Sequence, residues 1–251
     1  AQARCPKLKH VFVFDHQGGG AKPFAALLEE GRRAHEADPS RFEARADARR
    51  PDDLATLIYT SGTTGEPKGA MLMQSNFVSN LLAGCQILPF DGSAVTLSFL
   101  PLSHVLERLV EYCYYHRNAT IAFAESIDKL RDNLGEVNPH IFVSVPRVYE
   151  KVHARVMEKV ESGSPAKRTL FRNALAVGKE VLALRAEKKT PGGTLALQHF
   201  LYERLVFRKI REALGSRFRF AVSGGAPLSK DLAEFFWAIG VEIYEGYGLT
   251  E

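Results

Sequence analysis

Short apolar runs rich in β-branched residues alternate with longer amphipathic segments along most of this chain, and that alternation restricts its folding more than any other feature. The runs fall at residues 10–14, 54–60, 94–100, 119–124, 140–145, 218–222 and 241–244 and read as strands. Between several of them lie segments at 75–88, 103–116, 126–137 and 229–239, opened by Ser75, Ser103, Ser126 and Ser229, residues suited to capping a helix N-terminus. Strands separated by helices pair in parallel, because a helix-length crossover returns the chain to the same edge direction. The expectation is an α/β fold built of parallel-sheet subdomains with flanking helices. At 251 residues, 45% of them hydrophobic, the chain suffices for one large domain or two smaller ones.

Two regions break the alternation. Residues 34–50 are polar, rich in Ala and Arg and weakly patterned, which predicts a surface connection. Residues 146–214 are almost continuously helical in pattern, interrupted at 161–165 and 190–194, with Ser164 and Pro165 placed as an N-cap and a first-turn proline.

No apolar run approaches the roughly 18 residues of a membrane span, and the first nine residues have neither the charged nor the apolar part of a signal peptide. Cys5, Cys85 and Cys113 are odd in number and outside any Cys-x-x-Cys pattern, so no disulfide framework or zinc site is implied. The expected compartment is the cytoplasm. Residues 147–217 hold 16 Lys and Arg against 7 Asp and Glu, a charge of +9 within a chain of +4 overall. Such a stretch is either a solvated helical surface or a meeting place for an acidic partner, which leaves open a peripheral membrane contact. Aromatic residues are not interleaved with the basic ones as a nucleic-acid-binding module requires.

The strand at 54–60 runs into Thr60-Ser61-Gly62-Thr63-Thr64-Gly65-Glu66-Pro67-Lys68-Gly69. Glycines let backbone N–H groups approach an anion closely, the hydroxyls add donors, and Lys68 adds a positive charge. The composition describes a polyphosphate cradle. A P-loop would need glycine before the lysine and a hydroxyl after it, but Pro67 and Gly69 stand there. Two further strings follow strands. Ser223-Gly224-Gly225-Ala226-Pro227-Leu228 has adjacent glycines against which a flat ligand could lie, although a strand-to-helix turn also favours small residues. Glu245-Gly246-Tyr247-Gly248-Leu249-Thr250-Glu251 sets a tyrosine between glycines, its ring free to stack on a base, with Thr250 able to donate to a phosphate and Glu251 able to ligate Mg²⁺. A tight turn with an incidental tyrosine accounts for the same string.

The ten-residue loop closely resembles the phosphate-binding signature of the adenylate-forming superfamily, which comprises acyl-CoA synthetases, peptide-synthetase adenylation domains and luciferases. The following residues 69–76 match too, except that Met73-Gln74 replaces a common Thr/Ser-His pair. The resemblance implies that Thr60, Ser61, Gly62, Thr63, Thr64, Gly65 and Lys68 hold the β and γ phosphates of ATP, and that Gly224, Gly225, Ala226 and Pro227 contact adenine. It further implies that Tyr247 and Gly248 pack on the base, Thr250 meets the α-phosphate and Glu251 binds Mg²⁺. Residues 100–108, Leu-Pro-Leu-Ser-His-Val-Leu-Glu-Arg, resemble the acyl-site motif, which would place His104 near the carboxylate to be activated.

Residues 143–151 and the helical excursion at 146–214 resemble the long-chain fatty acid–CoA ligases in particular. The implied activity converts a long-chain fatty acid to acyl-AMP with ATP and then to acyl-CoA with coenzyme A, with His104, Lys68, Thr250 and Glu251 as the catalytic group. By this resemblance residues 1–92 end a first sheet subdomain, residues 93–251 form a second, and a C-terminal catalytic domain lies beyond this sequence. An aryl-CoA ligase, an amino-acid adenylation domain and a non-catalytic nucleotide-binding module are the alternatives, and the helical excursion speaks against the first two. A serine hydrolase is excluded, since neither Ser61 nor Ser223 sits in G-x-S-x-G.

Overall fold

The computed structural model describes residues 5–14, 20–60, 66–212 and 215–250. They form two compact units that divide between Asp53 and Leu54.

In the first unit, strands β1 (Phe12–Val13) and β2 (Lys22–Pro23) pair in parallel, and helices α1 (Phe24–Ala37) and α2 (Ser40–Asp47) follow. The surface connection expected over 34–50 is therefore largely helical, and neither helix buries a residue. Alanine, glutamate and arginine favour helix intrinsically, and Arg32 pairs with Glu29 and Glu36 while Arg33 pairs with Glu29, three and four residues apart. Local propensity formed these helices without the apolar stripe by which helices are usually read.

The second unit begins with an antiparallel hairpin, β3 (Leu54–Thr60) and β4 (Lys68–Met73), in which Thr60 pairs with Lys68. The sequence gives no sign of β4, because the glycine and proline ahead of it read as loop. Helix α3 (Gln74–Ile87) leads to β5 (Val95–Ser98), α4 (Val105–His116), β6 (Thr120–Phe123), α5 (Leu130–Val137) and β7 (Ile141–Ser144). The helical excursion follows as α6 (Pro146–Glu161), α7 (Pro165–Ala186), α8 (Gly193–Tyr202), a π-helical turn (Glu203–Phe207) and α9 (Arg208–Glu212). The unit closes with β8 (Phe220–Gly224), α10 (Lys230–Ala238) and β9 (Glu242–Gly246).

β5 to β9 form one parallel sheet in the order β6-β5-β7-β8-β9. Alternating residues serve its two faces, as the two-residue strand period requires. Phe142, Ala221 and Ile243 pack with Tyr149, Phe171 and Phe236 from α6, α7 and α10. Ile141, Val143, Phe220 and Val222 pack on the other face with Cys85 of α3 and Cys113 and Tyr114 of α4. Gly178 of α7 permits a close helix crossing, since a Cβ there would stand 2.5 Å from the carbonyl oxygen of Ala238.

Three of the four serines expected to open helices stand elsewhere. His104, not Ser103, caps α4, and α3 starts from Met73, whose N–H donates to the Asn76 side chain at 2.7 Å. Ser126 accepts from the Lys129 N–H in the turn ahead of α5, whereas Ser229 caps α10 and Ser164 caps α7 as expected.

Candidate functional site

The strand order reverses at β5: the chain passes outward to β6, then returns to place β7 on the other side of β5. Open parallel sheets take ligands at the carboxyl ends of strands beside such a switch point. The carboxyl ends of β5, β7, β8 and β9 lead respectively into the Leu100–Arg108 string, the Val145–Pro146 step, the Gly224–Leu228 loop and Tyr247.

Close contacts tie three of these strings together. Gly224 and Gly246 are partners across β8 and β9. A Cβ on Gly224 would meet the Leu106 methyl carbons at 3.0 and 3.1 Å, so the first turn of α4 lies against bare backbone. Gly225 has φ +79°, in the region that disfavours other residues, and its missing Cβ would face Val145 at 3.6 Å. The Leu228 N–H donates to Glu245 Oε1 at 3.1 Å, fastening the loop after β8 to the end of β9. Tyr247 projects freely, 93% exposed, with Gly248 exposed beside it, while Thr250 is half-buried. Ala226 and Pro227 are exposed on the loop.

The hairpin joins this group through α4. Ile58, Leu72 and Phe77 form a small core with Val105 and Leu109, and Arg108 Nη1 donates to Thr56 Oγ1 at 2.8 Å. Lys68 is exposed at the start of β4, opposite half-buried Thr60. Ser61, Gly62, Thr63, Thr64 and Gly65, and also Glu251, lie outside the described residues. Among the described residues, no three or more His, Cys, Asp or Glu gather as a metal site.

His104 is exposed, and its Nδ1 accepts from the Leu106 N–H at 3.2 Å. The cap thus engages Nδ1 as an acceptor, and in the neutral ring the proton sits on Nε2, free to donate outward. Beneath it lies a group that sequence reasoning did not assign. Glu107 is 2% exposed, and Ser98 donates to its Oε1 at 2.6 Å. Its Oε2 has no partner among the described residues. Burial, reinforced by Glu111, holds the carboxyl above the usual range although its hydrogen bond from Ser98 opposes the shift. Glu107 therefore clasps the end of β5 and fixes the turn that carries His104. A glutamate one turn into an amphipathic helix gives no sign in sequence of pointing inward.

Comparison with known proteins shows the family of the chain. The profile of a family described as AMP-binding enzyme matches residues 6–251. A long-chain-fatty-acid–CoA ligase, FadD15 of Mycobacterium bovis, is 40% identical over 249 residues, covering 98% of this chain and 40% of the relative. A peroxisomal long chain acyl-CoA synthetase 6 of Arabidopsis thaliana is 36% identical over 91% of this chain and 30% of its own length. The chain thus spans two fifths or less of these relatives. Among solved structures, the A-PCP didomain of a carboxylic acid reductase from Segniliparus rugosus in complex with AMP aligns over 98% of this chain and 33% of its own, with a TM-score of 0.56 and 25% identity.

Proposed function

Because the chain belongs to the AMP-binding enzyme family, we propose that it supplies the nucleotide site and part of the acyl site of a long-chain fatty acid–CoA ligase. The observation that carries the reading is the convergence of the hairpin, the His104 turn and the Gly224 and Gly246 strings around the first turn of α4. The names of the relatives support the substrate class.

A carboxylate is a poor electrophile and must exchange an oxygen for a better leaving group. In the proposed reaction the fatty carboxylate attacks the α-phosphorus of ATP, the bond to the β-phosphate breaks, and pyrophosphate departs against the 60–68 loop and Lys68. The thiolate of coenzyme A then attacks the acyl carbon and AMP leaves. Positioning and charge stabilisation carry such phosphoryl chemistry. The bare backbone at Gly224 and Gly225 and the open Tyr247 ring suit a flat base. Nε2 of His104 suits a carboxylate oxygen. Mg²⁺ takes one or two carboxylates when phosphates supply its other oxygens, and Glu251 is the carboxylate proposed. When bound, the ion offsets the charge developing on the phosphates. In this reading residues 1–92 end one sheet subdomain and 93–251 form the next.

The test is pyrophosphate release by the full-length protein with acids from acetate to an 18-carbon chain. Release that rises with chain length and requires ATP supports the proposal. A preference for aryl or amino acids would transfer the assignment to those ligases, and no release with any acid would favour a binding module without turnover.

A further inference from the structure

The stretch from α8 through the π-helical turn to α9 is apolar on both sides. Its inward side buries Val206 and Phe207, with Tyr202 and Ile210 half-buried against the core. Its outward side carries Leu197, Phe200, Leu201 and Leu205, between 47% and 60% exposed. A surface helix normally turns polar side chains outward, and this spacing instead makes a second apolar stripe about two turns long. The stripe has a cationic fringe. Residues 185–212 contain seven Lys and Arg and three Glu. All three glutamates are engaged, Glu187 with Lys189, Glu203 with Arg211 and Glu212 with Arg208. Arg204 and Lys209 are exposed and make no ion pair among the described residues. Arg204 lies over the Phe200 ring, 5.9 Å from its centre, so the charge sits on the stripe itself.

We infer that this face docks on an anionic lipid bilayer, with Leu197, Phe200, Leu201 and Leu205 entering the headgroup boundary and Arg204 and Lys209 meeting lipid phosphates. Charge selects this occupant. An amphipathic surface anchor combines an apolar face with Lys and Arg and lies in the interface plane. A second copy of the chain would bring the same positive fringe against itself, which like-charge repulsion opposes. Another exposed apolar face, formed by Leu57, Tyr59 and Met71 on the hairpin, has no such excess of cations and carries no similar inference. The basic segment 147–217 thereby narrows to one helical face, and the inference does not depend on the catalytic reading.

The experiment is co-sedimentation of the full-length protein with vesicles of phosphatidylcholine alone or with an equal part of phosphatidylglycerol. The variants are Leu197→Gln/Phe200→Gln/Leu205→Gln and Arg204→Glu/Lys209→Glu, each checked by its melting temperature. The parent should bind the anionic vesicles about tenfold or more better than the neutral ones and lose binding as salt rises. The apolar variant should lose about tenfold in binding with an unchanged melting temperature, and the charge variant should lose the preference for anionic lipid. Absence of vesicle binding by the parent overturns the inference, as does binding indifferent to both variants. So does a fall of about 4 °C or more in the apolar variant, which would mean that the protein itself covers the face.

Discussion

Leu106 presses its methyl groups on the bare backbone of Gly224, at distances that leave 3.0 Å for a Cβ that is not there. The contact joins the acyl-motif helix to the strand that leads into the second glycine string. A Cβ at 224 would push Leu106 by a few tenths of an ångström, and with it the turn that carries His104. Gly224→Ala in the full-length protein should cost about 1 kcal/mol in stability, in the range of mild overpacking, and raise the KM for ATP several-fold. Leu106→Ala added to it should recover most of the stability. A Gly224→Ala protein with parental stability and KM would show that the contact does not shape the site.

Glu107 makes acid–base behaviour a test of the turn. Its carboxyl lies above the ordinary 4.5, so between pH 4.5 and its folded value the folded protein holds more protons than the unfolded chain. Stability from this group is present at low pH and lost as pH rises through that window. Glu107→Gln keeps the acceptor for Ser98 but cannot ionise. Urea unfolding at a series of pH values should show a shallower loss of stability with rising pH in the variant. A slope identical to the parent's would mean that the carboxyl is not held in this way.

Gly178→Ala places a Cβ 2.5 Å from a backbone oxygen that cannot rotate away, so α7 and α10 must separate. The expected cost is about 1–3 kcal/mol, read by calorimetry as a lower melting temperature. Activity per folded molecule should be unchanged, because the crossing stands away from the strand ends. A variant as stable as the parent would contradict this account of the crossing.

The parallel sheet was legible because its strands are buried on both faces and so stand out as apolar runs such as 141–144 and 220–224. The excursion was legible from its helical period. The helices at 24–47 were not, since they bury nothing and rest on propensity and ion pairs. β4 was hidden because Lys68 and Gly69 belong to the phosphate motif and read as loop, whereas pairing with Thr60 and Tyr59 makes them strand. The named motifs could be read for their chemistry, but not the supports beneath them. The Arg108 to Thr56 bond links residues 52 positions apart, and the inward turn of Glu107 depends on the packing of α4 against the sheet.

The central claim is that Lys68 and its loop hold departing pyrophosphate, and Lys68→Ala in the full-length protein tests it most directly. Lys68 is exposed, so the substitution should leave the melting temperature unchanged. Measured as single-turnover pyrophosphate release with ATP and a long-chain fatty acid, the rate should fall about 10² to 10³-fold, the usual loss for one preorganised charge-stabilising group. A rate within about twofold of the parent would contradict the account, because a transition-state contact cannot be removed without lowering kcat.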